Sequence, residues 1–182
     1  MTRPFPALLI AVLALGAVDA HAQANEDRRS VRLAAGVLSQ QGTFGDDSPR
    51  TSDRQPGTTF SAGFRRHPAK PLGLTFEAAL EPIAIKNPHL NESVSRLYLQ
   101  LGLEIGRRIY VRPAIGGSVN SWSGSDSSGM SIGPAASLSV GYRHAITGDL
   151  SIQPELVMRS AFEIGALTQS VGVQIAVSHR RW

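Results

Sequence analysis

The chain contains no cysteine, which excludes both disulfide staples and a lipidated N-terminal cysteine, so stability must come from packing and backbone pairing. Lysine is nearly absent: Lys70 and Lys86 stand against sixteen arginines. Soluble basic proteins ordinarily coat themselves with lysine, so the formal net charge of +4 is carried here in an unusual way. Aromatic residues make up only 6% of the chain, and there is no basic stripe interleaved with them, which argues against nucleic acid as a partner. Beyond the first residues no segment approaches the roughly 18 continuous apolar residues of a membrane-spanning helix.

The N-terminus reads as an export signal. Arg3 precedes a short apolar run from Ala7 to Val18, and Ala20-His21-Ala22 has the small-residue pattern of a cleavage site. Residues 1–22 are therefore expected to be removed, leaving residues 23–182 as a single domain. Arg3 and Asp19 leave together, so the net charge is unchanged.

The remaining sequence is organised by a period of two. In VSRLYLQLGLEIG, residues 94–106, the aliphatic side chains Leu97, Leu99, Leu101, Leu103 and Ile105 alternate with Arg96, Tyr98, Gln100, Gly102 and Glu104. That spacing predicts a β-strand with one aliphatic and one polar face. Seven further segments share the pattern: 31–38, 58–65, 72–82, 109–119, 130–142, 150–159 and 170–178. In the last, Val171, Val173, Ile175 and Val177 form the aliphatic row. Links 39–57, 83–93, 120–129 and 160–169 are long and rich in Gly, Ser, Asp, Asn and Pro; links 66–71, 106–108 and 143–149 are short. Alternation of long and short links predicts an all-β, eight-stranded, antiparallel up-and-down meander closing into a barrel.

Two barrels fit such alternation: a soluble lipocalin-like barrel with the aliphatic face inward around an apolar ligand, or a transmembrane barrel with that face toward lipid. The polar face separates them. Its charged residues are Arg32, Arg65, Glu77, Glu81, Arg96, Glu104, Arg112, Glu155 and Arg159, all on the non-aliphatic parity, and their companions are mostly Gly, Ala and Ser. A water-facing sheet would carry lysine; this one carries none. Small residues with a few long ionic ones suit the narrow interior of an eight-stranded barrel. Five arginines against four glutamates nearly neutralise one another, as buried charge requires. A three-residue turn at 107–109 would set Glu104 opposite Arg112 and predicts an ion pair between them. Leu97, Leu99, Leu101, Leu103, Ile105, Val171, Val173, Ile175 and Val177 are then expected to face lipid.

With the strands laid out, "YVRPAIGGS" at 110–118 and "GYRHAITGDLSIQPELVMRS" at 141–160 resemble the strand–turn–strand runs of small eight-stranded outer-membrane barrels, the OmpA-type transmembrane domain and its OmpX-like relatives. The ending "SVGVQIAVSHRRW" resembles the C-terminal signal read by the barrel-assembly machinery in that class. The resemblance implies a monomeric outer-membrane protein in contact with lipid and lipopolysaccharide, with long outer loops, short periplasmic turns, no cofactor, and a role in envelope integrity, adhesion or host interaction. Trp182 departs from this pattern by falling off the aliphatic parity, so either a bulge near Ser178–Arg180 or a weaker signal is expected. Pro113, Pro134 and Pro154 fall on the aliphatic parity inside strands, where bulges or their depth in the interface must accommodate the missing donors.

Catalytic signatures are sparse. Some barrels of this class modify the acyl chains of lipid A with Ser, His and an acid; the candidates here are His89 with Ser93, and Ser178 with His179. The second pair is adjacent in a strand, so its side chains point to opposite faces. Neither pair lies in a nucleophile motif, and a non-enzymatic barrel is the primary expectation. Asp46, Asp47 and Asp53 in the first link are read as a solvated loop, the scattered histidines as no metal site, and the sequon Asn91-Glu92-Ser93 as incidental. Trp122, in a Ser/Gly-rich link, is the candidate loop contact, or else packs on the barrel rim.

Overall fold

The computed structural model describes residues 28–44, 50–51, 53–69, 72–83, 93–123, 128–163 and 166–181. Eight long strands follow in chain order: β1 Arg28–Phe44, β2 Gln55–Ala69, β3 Leu72–Ile83, β4 Ser93–Gly106, β5 Ile109–Ser123, β6 Ser128–Tyr142, β7 Leu150–Glu163 and β8 Ala166–Arg181. Each pairs antiparallel with its sequence neighbour, and β8 pairs with β1 to close the cylinder. Two-residue segments, Arg50–Thr51 and His144–Ala145, add short ladders to β1 and β7. All eight strands anticipated from the alternation are present, in an up-and-down order. Closure removes the sheet edges that would otherwise need a partner.

The strands run further than the alternation does. Links expected at 120–129 and 160–169 shrink to 124–127 and 164–165, because β5 continues to Ser123 and β7 to Glu163. The aliphatic row stops where apolar surroundings would stop, but backbone pairing does not depend on side-chain polarity and continues. Two of the four links expected to be long are therefore short, and 143–149 is longer than either. At the 106–109 corner, Gly106 pairs with Tyr110 and takes φ of 113°, a left-handed conformation open to glycine at little cost.

The seam between β8 and β1 is the most extensive, with sixteen pairs in unbroken register from Arg29↔Arg181 to Phe44↔Ala166. No bulge interrupts Ser178–Arg180, so the first of the two alternatives for Trp182, a register shift, is absent; Trp182 itself lies outside the described residues. The β6–β7 seam holds only seven pairs, Ala135↔Ala161 to Gly141↔Glu155. Prolines explain where it stops. Continuing that register would place Pro134 against Phe162 and Pro154 against Tyr142, one step beyond each end. Pro113 marks a lapse in the β4–β5 ladder, which passes from Gly102↔Ala114 to Ile105↔Val111. Pro82 lies beyond the last β2–β3 pair, Phe60↔Leu80. Proline supplies no N–H, so a ladder ends or lapses at each. Of the two ways of accommodating Pro113, Pro134 and Pro154, bulges are not used; the register on either side of each is unchanged. A bulge does occur between Arg66 and Ala69 in β2, at the end of the β2–β3 hairpin.

Candidate functional site

The pleat sends alternate residues to opposite sides of the wall, and closure turns one side into an enclosed lumen. All nine strand charges named from the sequence are buried there, from Arg65 and Glu77 at 8% exposure to Glu81 and Glu104 at 0%. They form a column along the barrel axis in successive layers.

Nearest the short-link end, Glu104 accepts from Arg65, 3.0 Å away, and from Arg143. Above it, Glu77 accepts from Arg32 at 2.8 Å and Arg159 at 2.9 Å, and Arg112 forms an ion pair with it at 3.1 Å. Glu155 shares two of those arginines: Arg32 grips it through Nε and Nη2, and Arg112 lies at 3.1 Å. The Tyr110 hydroxyl and the Gln174 amide also donate to Glu155. The next layer is Glu81, which accepts from Arg159 at 3.0 Å, Gln40 at 2.8 Å and Ser170 at 3.2 Å. At the far end Arg96 donates to Asn120, Thr168 and Glu163, and Ser131 donates to Glu163. A buried ion is costly unless several partners replace its water, and each carboxylate here has two or more.

One pairing differs from expectation. The β4–β5 register does set Glu104 opposite Arg112, but Arg112 takes Glu77 and Glu155 as its ion partners, while Glu104 takes Arg65 and Arg143. In a narrow cylinder a long side chain reaches the opposite wall, and a guanidinium with five donors gains more between two carboxylates than beside one.

Several participants were not singled out beforehand. Tyr98 and Tyr110 are fully buried in the lumen, and Arg159 and Arg143 lie over their rings at 5.7 and 5.1 Å. Arg143 sits just past the end of β6, where a link residue gave no strand parity to read. Glu163 lay in what reads as a loop. Tyr110 was legible in principle, because it shares the parity of Arg112. Small residues make this packing possible: a Cβ on Gly141 would stand 2.5 Å from the Tyr110 hydroxyl oxygen and 2.8 Å from Glu155 Cγ.

The outer face is the reverse. Leu97, Leu99, Leu101 and Leu103 are exposed, Leu101 at 65%, as are Val171, Val173, Ile175 and Val177; Ile105 is half-buried. Every strand contributes exposed large apolar side chains, including Leu33, Phe60, Phe76, Ile115, Ile132 and Leu156. Ser178 is buried and His179 exposed, so that pair points to opposite sides of the wall. His89, Asp46, Asp47 and the side chains of Trp122 and Ser93 lie outside what is described; Asp53 is exposed. Among the described residues no group of three or more His, Asp or Glu forms a candidate metal site.

No family model matches the chain, and no curated protein sequence matches it. Solved structures do. Ail, the attachment invasion locus protein of Yersinia pestis, aligns over 84% of this chain and 98% of its own, with TM-score 0.54 and 9% identity. Neisserial surface protein A aligns over 82% and 96%, with TM-score 0.55 and 9% identity. Ail in complex with the heparin analogue sucrose octasulfate aligns over 86% and 100%, with TM-score 0.54 and 9% identity. At such identity the likeness is one of fold: this chain is a closed eight-stranded antiparallel barrel of the kind built by small outer-membrane proteins.

Proposed function

We propose that the chain is an integral outer-membrane barrel, monomeric and non-enzymatic, whose outer links serve envelope integrity, adhesion or host interaction. The observation that carries this reading is the inverted polarity: exposed aliphatic side chains on all eight strands surround a column of buried ion pairs. A soluble monomer rarely exposes an apolar patch beyond a few hundred Å². A bilayer makes that belt favourable, and closure satisfies the backbone where water is absent. A soluble lipocalin-like carrier would need the opposite arrangement, with aliphatic residues lining its cavity.

In this reading the short-link end, where the chain enters β1 and leaves β8, faces the periplasm. Links 45–54, 84–92, 124–127 and 164–165 face outward. The belt meets lipid and the acyl region of lipopolysaccharide, and β8 is the strand offered to the assembly machinery. The names of two barrels sharing the fold, an attachment protein and a surface protein, agree with a surface role.

The test is membrane fractionation followed by electrophoresis with and without heating. An outer-membrane barrel sediments with that membrane and migrates faster unheated, because the closed barrel resists detergent. Recovery in the soluble periplasmic fraction with no heat-dependent shift would overturn the proposal. An epitope placed in 124–127 should be reached by antibody on intact cells, and failure there would reverse the orientation.

A further inference from the structure

The short-link end of the barrel opens into a cavity of about 860 Å³. Six arginines line it, Arg29, Arg65, Arg107, Arg108, Arg143 and Arg180, and among the described residues Asp149 is the one acid in the lining. Its deep side is formed by the Glu104 layer. Both charges flanking Glu104 are committed there: Arg65 lies at 3.0 Å, and Arg143 spends one nitrogen on Glu104 and the other on the Arg107 carbonyl at 2.7 Å. Glu104 therefore answers the inner pair. Arg29, Arg108 and Arg180 have no carboxylate partner among the described residues. Buried hydroxyls from Ser30 and Ser178 lie in the same wall.

We infer that this mouth is a binding site for a phosphate-bearing polyanion. Low-dielectric walls focus the field of converging cations into the concavity instead of dispersing it over a surface. Guanidinium forks match phosphate oxygens two at a time, and serine hydroxyls add neutral donors. The cavity is far larger than one phosphate ion, so the fit is to a group carrying several phosphates. Two sources share that chemistry: a soluble oligophosphate, or phospholipid headgroups drawn in from the surrounding leaflet. Assigning the site to the periplasmic side rests on the orientation proposed above; binding itself does not, and is measured on purified barrel.

The full mature chain, folded in an amine-oxide detergent that brings no phosphate of its own, is titrated calorimetrically with inorganic tripolyphosphate at about 150 mM salt. Saturable binding at one site per barrel is expected. The double variant Arg108→Gln/Arg180→Gln should weaken it at least tenfold. The pair Arg29→Gln/Arg108→Gln serves if the first fails the unheated-gel test of folding. Arg54→Gln, exposed in the first link at the opposite end, should leave it unchanged. Native mass spectrometry with added phosphatidylglycerol separates the sources. Retained lipid that tripolyphosphate displaces identifies headgroups, whereas no retained lipid identifies a soluble ligand. Absence of saturation, or equal weakening by Arg54→Gln, would overturn the inference. That failure would leave the membrane reading untouched, since the gel shift tests it separately.

Discussion

The middle of the lumen and the short-link mouth are built from the same residue type, yet their charge is handled in opposite ways. In the middle, Arg32, Arg112 and Arg159 face Glu77, Glu81 and Glu155, equal numbers interlocked at hydrogen-bond distance. At the mouth six arginines line one cavity; Arg65 and Arg143 pair with Glu104, and Asp149 is the one acid in the lining among the described residues. Burial explains the difference. Deep in the cylinder an uncompensated guanidinium has no water to fall back on, so sequence and packing must supply every counter-charge. At the mouth water screens the excess, and a surplus of one sign costs little until a ligand of the other sign arrives.

If that contrast is sound, charge removal should hurt in proportion to depth. The largest effect is expected from Glu155→Ala, which takes from Arg32 and Arg112 one of the two carboxylates they share and should destabilise the barrel by about 3–5 kcal/mol in reversible denaturation from detergent micelles. Glu155→Gln, which keeps the shape and loses the charge, should fall between it and the wild type. On the opposite side of the wall, Leu101→Arg should cost about 2–4 kcal/mol, the depth-dependent penalty for a cation at mid-bilayer, when unfolding is followed in lipid vesicles. Were the outer face of this barrel in water instead of lipid, the same substitution would be nearly silent. Gly141→Ala forces a methyl against Tyr110 and Glu155 and should cost about 1–3 kcal/mol, partly recovered in combination with Tyr110→Phe. The smallest effect belongs to the mouth: Arg108→Gln should change stability by no more than about 0.5 kcal/mol in the same denaturation series. A mouth substitution as damaging as Glu155→Ala would erase the distinction.

The sequence carried more of the wall than of its contents. Period-two alternation announced eight strands and, through the parity of residues such as Arg96 and Glu104, which side of each would be ionic. It could not announce partners. Parity says that Arg112 points inward, but not that it reaches past Glu104 on the adjacent strand to Glu77 on β3 and Glu155 on β7. That choice depends on strand tilt and on the height of each residue along the axis, which are properties of the closed cylinder. Strand ends were misjudged for a related reason: Asn120 and Thr168 look like loop residues because they are polar, yet they are buried against Arg96 inside extended strands. The prolines were legible as anomalies. Their resolution, ladders that stop beside Pro134 and Pro154, needed the pairing register.

Which side of the wall meets lipid can be read directly, because a chain without cysteine accepts single-cysteine spin labels with no background. Labels placed one at a time from 97 to 103 in lipid vesicles, with collision rates measured against oxygen and against a polar nickel chelate, give the environment of each position. Positions 97, 99, 101 and 103 should show high oxygen and low nickel collision, with 98, 100 and 102 shielded from oxygen, in a strict period of two. Odd positions shielded and even positions open to the nickel chelate would mean that the aliphatic row points inward, and the membrane barrel would have to be abandoned.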